Sequence, residues 1–582
     1  MGLLDRLRRN GKNEVDQKES VHVAQCKKGY KVVEEYDVHK PIARIKIVKS
    51  PQLGEGLHYF VVETPLNEEE EDSFRKIMGI LSKEMEPPKD DEMTPEEYVL
   101  DQAEMVAERY HRALGAHTGS GWRKIFYYVV RKLIGYGPLQ AIMLDPNIED
   151  VSNNGLNSPI YVWHRKYESI PTNITFVDER AINDFIVKLA HRSSKHISSA
   201  TPLLDGMLPE KHRLAATFMN EVSTKGSTFC IRKFRADPFS IVDLINIGTL
   251  DERIAAYFWL ILEHKMSFMI IGGTGAGKTS ILNSLLSLMS SNDKIVTVEE
   301  VAELSPPLQN WTQLHSRHSF QFGQGAAASI SIFDLVKVSL RYRPDYIIVG
   351  EIRGEEAFTL FQALATGHGG LCTMHADSLN SVIKRLTSPP MNVSKVYIPL
   401  MNNALHIQRV ELPKAKDGLN FGRRVRTIWE IEDYDQYREV AVWNPRSDTF
   451  ETWFENSIIL EKIAAIKGVS RQDLLLEIEK RREYLSELIE KDIRDQKEVA
   501  ERILAYYTNQ RENSKNGQSS RKRRKLSVKR RRYFEEVRKE AKPGDVTVEG
   551  GDAGGDTSSP SSPQEDFSEP GIKAETLAEE EP

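Results

Sequence analysis

Residues 268–286 read FMIIGGTGAGKTSILNSLL: an apolar run, a glycine-rich turn and a segment whose apolar residues have helical spacing. The apolar run predicts a buried strand and the last segment predicts a helix. Between them, the spacing G-x4-G-K-T allows successive backbone N–H groups to curl around phosphates, to which the helix N-terminus adds its positive dipole end. A strand-to-helix turn without a ligand is the alternative, but strand, loop, Lys-Thr and helix all occur in the required order. We therefore predict that this loop binds a nucleoside triphosphate.

The residues that close the loop have separate expected roles. Lys278 is expected to pair with the β- and γ-phosphates of ATP, and Thr279 is expected to hold Mg²⁺. The predicted nucleotide-binding residues are Gly272, Gly273, Thr274, Gly275, Ala276, Gly277, Lys278, Thr279 and Ser280.

The composition excludes several classes of protein. The 582 residues carry 79 Lys and Arg against 85 Asp and Glu, and the net charge of -6 indicates no polyanionic partner for the chain as a whole. The three cysteines, Cys26, Cys230 and Cys372, are far apart, so they predict neither disulfides nor a zinc site and fit a reducing, cytoplasmic compartment. The most apolar stretch, Ile254 to Leu262, is half a bilayer span, and no signal peptide opens the chain. We expect a soluble protein that can sit peripherally on the inner face of a membrane.

The N-terminal part of the chain mixes strand and helix signals. Residues 1–34 are predicted to be a separate segment, whose first ten residues form either a short amphipathic helix or a frayed terminus. Residues 42–48 and 57–63 have the pattern of a hairpin, and Thr94-Pro95-Glu96-Glu97 has that of a capped helix start. Residues 35–235 are therefore predicted to be an α+β domain.

Beyond residue 235, strands alternate with helices. Apolar strands are predicted at residues 268–271, 295–298, 346–349 and 371–374, and this alternation favours a parallel sheet with crossover helices. The predicted fold class is α/β, with a RecA-like P-loop ATPase domain at residues 236–457 and a helical C-terminal part of it at residues 458–510.

The last part of the chain, residues 511–582, loses apolar periodicity. Nine of the twelve residues from Arg521 to Arg532 are Lys or Arg, and residues 545–582 carry eleven acids against one Lys amid Gly, Ser and Pro. We predict a disordered tail that is first basic and then acidic.

Two of the predicted strands end in carboxylates. Residues 347–350 lead to Glu351, about seventy residues after the glycine-rich loop, where a Walker B acid contacts Mg²⁺ or the attacking water. Residues 296–298 lead to Glu299 and Glu300, for which a surface acid pair is the alternative. We predict Thr279 and Glu351 as metal ligands and all three glutamates as catalytic residues.

Two histidines flank another predicted strand. His368 and His375 stand at opposite ends of the run from Gly369 to Met374. A zinc pair is disfavoured because further ligands are missing and Cys372 either points away from both histidines or is buried. We expect the histidines to sense the γ-phosphate or to hold the catalytic geometry, whereas a satisfied core or surface histidine is the alternative.

Together these motifs resemble the secretion ATPase superfamily, which contains the motors of type II secretion, type IV pilus assembly and archaellum assembly. The resemblance looks closest to the archaeal branch and covers about residues 35–505. The matching segments are the loop at 272–279, the acidic box at 298–303, the block LRYRPDYIIVGEIRG at 340–354, the histidine box at 367–377, and the shorter segments at 135–138 and 148–150.

The resemblance implies a hexamer of two-domain subunits, with ATP bound between the domains and arginines supplied by N-terminal elements. Arg213 and Arg232 match those arginine positions best, and Arg317 is a further candidate. Ion pairs with acids such as Glu210 or Glu221 are the alternative role for the first two arginines. The chain departs from the family where Glu299-Glu300 replaces the usual Glu-Asp, and it lacks the cysteine-rich zinc element of many bacterial members.

These predictions favour a cytoplasmic motor ATPase that acts on a polytopic membrane platform protein and drives secretion or pilus-like filament assembly. The N-terminal segment or the basic run at 521–532 could add contact with an anionic membrane surface. The alternative is a hexameric DNA translocase or helicase that grips phosphates with the same run. That run lies outside the motor core and has few aromatic neighbours for stacking bases, which argues against nucleic acid. A nucleotide-dependent scaffold without turnover is the third hypothesis.

Overall fold

The computed structural model describes residues 21–508, apart from residues 28, 51, 53, 55, 86–92, 235–236, 318–328 and 417–418. The predicted N-terminal helix and the predicted disordered tail, with its basic run, lie outside the described residues. Within those ranges, none of the helices combines the length and the apolar character that a membrane crossing requires.

A first sheet, which we call the N-terminal sheet, joins ten strands of the described ranges. Its strands are β1 (Val21–Val23), β2 (Lys31–His39), β3 (Ala43–Lys49), β4 (Leu57–Glu63), β5 (Ile148–Asn153), β6 (Pro159–His164), β7 (Glu168–Phe176), β8 (Leu203–Met207), β9 (Arg213–Thr217) and β10 (Thr228–Arg232). Their order is β2-β3-β4-β7-β6-β5-β10-β9-β8, with β1 paired to β7. The predicted hairpin is β3 with β4, which pair antiparallel.

Helices of the N-terminal part accompany this sheet. They are α1 (Glu68–Glu84), α2 (Pro95–Arg109), α3 (His111–Leu114), α4 (Gly119–Leu133), α5 (Gln140–Leu144) and α6 (Glu179–Arg192). The predicted start of α2 is confirmed, because Thr94 and Glu97 form a capping box and Pro95 follows the cap. The four helices α1 to α4 share a small apolar core around Ile77, Val99 and Ile125, so they pack on one another beside the sheet.

A second sheet, which we call the C-terminal sheet, contains the strand that precedes the glycine-rich loop. Its strands are β11 (Phe268–Ile271), β12 (Ile295–Glu299), β13 (Trp311–His315), β14 (Tyr346–Val349), β15 (Gly369–Met374), β16 (Asn403–Lys416), β17 (Leu419–Asp433), β18 (Gln436–Asn444) and β19 (Thr449–Thr452). Their order is β13-β12-β14-β15-β11-β16-β17-β18-β19. The first six strands in this order are parallel, as the alternation of strands and helices predicted.

The other half of the C-terminal sheet departs from the predicted pattern. Strands β16 to β19 follow one another as an antiparallel meander, and no helix separates them. The α/β class is nevertheless correct, because helices connect β11 to β12, β13 to β14 and β14 to β15. The helices of this part are α7 (Ile241–Asn246), α8 (Glu252–Glu263), α9 (Lys278–Leu286), α10 (Ile332–Ser339), α11 (Glu356–Ala365), α12 (Leu379–Thr387), α13 (Ile458–Lys467) and α14 (Arg471–Glu490).

Helix α8 explains the most apolar stretch of the sequence. All nine residues from Ile254 to Leu262 are buried, so this helix is enclosed on every side. One of its neighbours is the C-terminal helical part: Trp259 lies within ring contact of Tyr484 on α14 and of Tyr506 in the helical residues 496–508. The guanidinium of Arg481 lies 4.8 Å from the Trp259 ring centroid. The helices after residue 457 therefore complete the core of the C-terminal sheet.

Candidate nucleotide site

The glycine-rich loop joins β11 to α9 at the edge of the sheet where the parallel strands end. Gly277 stands at the N-cap with φ +97°, a left-handed conformation that glycine adopts without strain. No side chain caps α9, so the first N–H groups of this nine-residue helix are left for a ligand. Gly272 is required for another reason, since a Cβ on it would lie 2.3 Å from the carbonyl oxygen of Ile407. The loop backbone therefore fits an anionic group at the start of α9.

Lys278 points back over this loop. Its ammonium donates hydrogen bonds to the carbonyl oxygens of Gly272 and Gly273, at 3.1 and 3.0 Å, rather than to a carboxylate. Burial lowers the pKa of Lys278, and the charge of Glu351 opposes this shift. A half-buried cation held only by backbone carbonyls fits a phosphate partner, because phosphate would compensate the charge that burial penalises.

Glu303 is the carboxylate that the structure brings next to Thr279, and the sequence-based set of catalytic residues omitted it. Burial raises the pKa of Glu303, whereas a hydrogen bond with Thr279 and the charges of Arg213 and Arg232 lower it. Glu351 lies close enough to act on the same carboxyl group. The only available signal was the position of Glu303 in the acidic box, which does not distinguish it from the two glutamates before it.

Glu299 has a different environment from the predicted one. Its Oε1 accepts hydrogen bonds from the backbone N–H groups of Glu303 and Leu304, both at 2.8 Å. Its Oε2 accepts a hydrogen bond from the Gln313 amide at 3.0 Å. The side chain is only 2% exposed, and burial raises its pKa to about 7. Glu299 thus holds the backbone of the loop that carries Glu303, and its predicted contact with metal or water stays a prediction.

Glu351 and Glu300 share one arginine. The two terminal nitrogens of Arg353 lie 2.7 Å from Glu351 Oε2 and 3.1 Å from Glu300 Oε2. Glu351 follows the carboxyl end of β14, on the same sheet edge as the loop, and its charge acts on Lys278. The structure thus places Glu351 near Lys278 and Glu303, and it places Glu300 against the exposed Arg353.

Magnesium would be held by oxygen atoms at this edge. In the part of the chain that the structure describes, three or more His, Cys, Asp or Glu side chains nowhere converge as a metal cluster. The donors at hand are the hydroxyl of Thr279 and the carboxylates of Glu303 and Glu351. One hydroxyl and one or two carboxylates are what Mg²⁺ uses when phosphates and water supply the remaining ligands, so the residues fit that ion.

Arg213 and Arg232 lie side by side on the N-terminal sheet. They are directly opposite each other in the antiparallel pair β9 and β10. Arg213 pairs with Asp205 at 3.4 Å, and Arg232 donates from Nε to Asp150 at 3.1 Å. Both arginines thus form ion pairs with acids, as the alternative expected, but the acids are Asp205 and Asp150.

The positive charges of both arginines also lower the pKa of Glu303, which follows β12 of the C-terminal sheet. Glu210, one of the alternative partners, pairs instead with Arg192 and accepts a hydrogen bond from Tyr136 at 2.6 Å. The structure brings the two arginines to the candidate site from the other sheet.

The two histidines have different positions. His375 follows β15 at the edge that carries the loop, and its Nε2 lies 2.8 Å from the hydroxyl of Thr274. His368 precedes the same strand, and its Nδ1 lies 3.0 Å from the hydroxyl of Thr366 and 3.2 Å from the carbonyl oxygen of Ala363. Since β15 is six residues long at about 3.3 Å per residue, His368 lies at the opposite edge of the sheet. His368 thus lies away from the glycine-rich loop, and its expected role in sensing phosphate or holding the catalytic geometry stays a prediction.

Two other predicted residues lie at the margin of the site. Arg317 forms an isolated backbone bridge with Ile330 after β13, next to residues outside the described ranges. Ser280 lies in the first turn of α9, where its carbonyl oxygen accepts a hydrogen bond from Ser284 at 2.9 Å. The catalytic role of Arg317 thus stays a prediction. The backbone of Ser280 belongs to the start of α9 described above.

The chain is similar to several known proteins. The family described as type II/IV secretion system protein matches residues 135–434. An uncharacterized protein of Methanocaldococcus jannaschii is 39% identical over 396 residues, which are 66% of this chain and 70% of that protein. The conjugal transfer protein TrbB of Rhizobium radiobacter is 30% identical over 254 residues, 43% of this chain and 74% of TrbB. The solved structure of the ATPase DotB from Legionella pneumophila is 16% identical and spans 62% of this chain and 92% of DotB, with a TM-score of 0.36.

Proposed function

Because this chain belongs to the family of type II/IV secretion system proteins, we propose that it is a motor ATPase that hydrolyses ATP to power secretion or the assembly of a pilus- or archaellum-like filament. The observation that carries the proposal is the convergence on one sheet edge of Lys278, Thr279 and Glu303, where the charges of Arg213 and Arg232 also lower the pKa of Glu303. A loop that only bound an anion would have no use for a half-buried carboxylate beside it.

In this mechanism, the N–H groups of α9 and the ammonium of Lys278 hold the phosphates. Thr279 and Glu351 would hold Mg²⁺, which would neutralise phosphate charge when bound. Glu303 accepts the proton of the attacking water, a role that suits a carboxyl group whose pKa burial raises. Arg213 and Arg232 neutralise the charge that spreads over the transferred phosphoryl group.

We further propose that six copies form a ring and that the motor acts on a polytopic membrane platform protein from the cytoplasmic side. The family resemblance supports both statements. Light scattering of the full chain with and without nucleotide tests the ring, and a monomer under every nucleotide condition contradicts it.

The activity is tested by Lys278→Ala. This change removes the charge that reaches the phosphates and leaves the loop backbone in place, so phosphate release is expected to fall by about 10² or more. Lys265→Ala is the matched control, because Lys265 pairs with Asp345 where β11 and β14 begin, at the opposite end of these strands from the glycine-rich loop. Phosphate release by Lys278→Ala within a few-fold of the control contradicts the proposal.

A further inference from the structure

Arg423 packs on the outside of the glycine-rich loop, although it belongs to β17 of the meander. Its Nε donates a hydrogen bond to the carbonyl oxygen of Gly275 at 3.1 Å. Its Cδ lies 3.1 Å from the place that a Cβ on Gly277 would occupy. The carbonyl of Gly275 shares one planar peptide group with the N–H of Ala276 and points the opposite way. An arginine that fixes this carbonyl therefore also fixes the direction of a loop N–H group.

The same guanidinium reaches the N-terminal sheet. Nη2 of Arg423 lies 3.5 Å from Oε1 of Glu149, and Arg165 lies 3.6 Å from the same oxygen. Glu149 is the extra residue of a β-bulge in β5, because Ile148 pairs with His164 and the next paired residue, Asp150, pairs with Trp163. Bulges of this kind re-aim side chains near functional sites.

The strand that Arg423 touches also supports Arg232. Asp150, the residue directly after Glu149, accepts the hydrogen bond from Arg232 Nε at 3.1 Å. Arg232 in turn acts on the carboxyl group of Glu303. A continuous series of contacts thus runs from the loop through Arg423 and the bulge of β5 to Arg232, whose charge acts on Glu303.

We propose that Arg423 is a positioning residue that couples the conformation of the nucleotide loop to the placement of Arg232. The inference rests on the proposed function, since it assigns a task to Arg423 in the same site. When the loop binds phosphate, the peptide group of Gly275 is fixed. Its carbonyl then holds the Arg423 guanidinium, which in turn holds Glu149 in the bulge of β5. Asp150, the next residue, is thereby fixed and holds Arg232 in place.

The exposure of the Arg423 and Glu149 side chains sets how strongly their replacement should affect hydrolysis. The side chains of Arg423 and Glu149 are 38% and 28% exposed, so their ion pair is partly screened. Glu149→Gln is therefore expected to lower kcat only two- to five-fold and to leave KM unchanged. Arg423→Ala removes the bond to the loop as well, and we expect a roughly tenfold loss of kcat together with a higher KM. Arg423→Lys keeps the charge but cannot form both contacts at once, so it is expected to restore only part of this loss.

A matched control exists on the neighbouring strand. Arg409 on β16 also joins the two sheets, through an ion pair with Glu168 and a ring contact with Trp163 at 6.0 Å. Arg409 contacts Glu168, Trp163 and Phe421, none of which belongs to the glycine-rich loop. Arg409→Ala therefore removes a link between the sheets without touching the site, and its kcat and KM are expected to stay within twofold of wild type.

The hydrolysis experiment compares these variants of the full chain in one double-mutant cycle. If Arg423 acts through Glu149, adding Glu149→Gln to Arg423→Ala costs no further activity. Fully additive losses overturn the proposal, because they mean that Arg423 does not act through Glu149. An Arg409→Ala variant as impaired as Arg423→Ala also overturns it, because the sheets are then merely loosened.

A second readout does not depend on hydrolysis. Hydrogen exchange is followed with and without a non-hydrolysable ATP analogue at residues 148–153 and 228–232. We expect the analogue to increase protection there in wild type and in Arg409→Ala but not in Arg423→Ala. Equal protection in Arg423→Ala, or an analogue that does not bind wild type, overturns the inference. If wild type binds the analogue but releases no phosphate from ATP, the proposed function fails while this experiment still decides the role of Arg423.

Discussion

Replacing Glu299 by glutamine tests whether its carboxylate holds the loop after β12 or acts on the attacking water. The buried side chain accepts two backbone N–H bonds and one amide bond, so the ionised form is compensated but deprived of solvent. Glutamine cannot ionise, and its oxygen can still accept the two backbone bonds. Its amide group would face the amide of Gln313, so one hydrogen bond is lost.

The magnitude follows from the pKa. In the folded chain the pKa of Glu299 is raised from 4.5 to about 7, which corresponds to about 3 kcal/mol. Between these pH values the folded protein keeps a proton that the unfolded chain has released. Stability from this group is therefore present below pH 4.5, falls as the pH rises toward 7 and is constant above it. With about 1 kcal/mol for the lost hydrogen bond, Glu299→Gln should be about 2 kcal/mol more stable than wild type at pH 8 and about 1 kcal/mol less stable at pH 4.

Thermal unfolding of both proteins from pH 4 to pH 8 measures this difference. At pH 8 the variant should melt about 4 to 8 °C higher, and the order should reverse at the acidic end. Phosphate release by the variant should stay within about tenfold of wild type, because Glu303 and its loop remain in place. A melting difference that does not change with pH refutes the assignment of Glu299 as a buried, desolvated acid. A loss of turnover as large as that of Glu303→Gln refutes its supporting role.

Three further outcomes are expected. Glu303→Gln should retain ATP binding and lose turnover by about 10² or more, measured as phosphate release under saturating ATP, whereas turnover near wild type would remove Glu303 from the chemistry. Gly272→Ala should abolish nucleotide binding in equilibrium titrations, because the new Cβ would lie 2.3 Å from the Ile407 carbonyl oxygen; unchanged affinity would show that the loop can shift aside. His375→Ala should raise KM for ATP several-fold through loss of its contact with Thr274, while His368→Ala at the far end of β15 should not; equal effects would contradict the placement of the two histidines.

The parallel half of the C-terminal sheet could be predicted from the sequence because each strand is a short apolar run buried on both faces. The runs at 268–271 and 346–349 coincide with β11 and β14, and β12 and β15 extend the other two predictions by one or two residues. Strands β16 to β19 were missed because they carry many charged residues and do not alternate with helices. Arg423 and Arg424, for example, interrupt any apolar pattern in β17.

Only part of the candidate site could be predicted from the sequence. The spacing of Lys278 and Thr279 specifies a local turn, which sequence can encode. Which of Glu299 and Glu303 lies beside Thr279 depends on where the chain turns after β12. Glu299 itself fixes that turn, because it accepts hydrogen bonds from the backbone N–H groups of Glu303 and Leu304. Arg423 approaches Gly275 from 148 residues away along the chain, a contact that no local pattern contains.

The enclosure of α8 sets where this chain can be divided. If a protease or an engineer removed everything after residue 457, Trp259 and its neighbours would lose Leu474, Ile478, Leu485 and the aromatic rings that cover them. Exposing several such side chains costs about 1.5 to 3 kcal/mol each, which together exceed the stability of an ordinary domain. A shortened gene that stops at the end of the last strand should therefore yield an insoluble product, whereas one that ends after residue 508 retains every described helix.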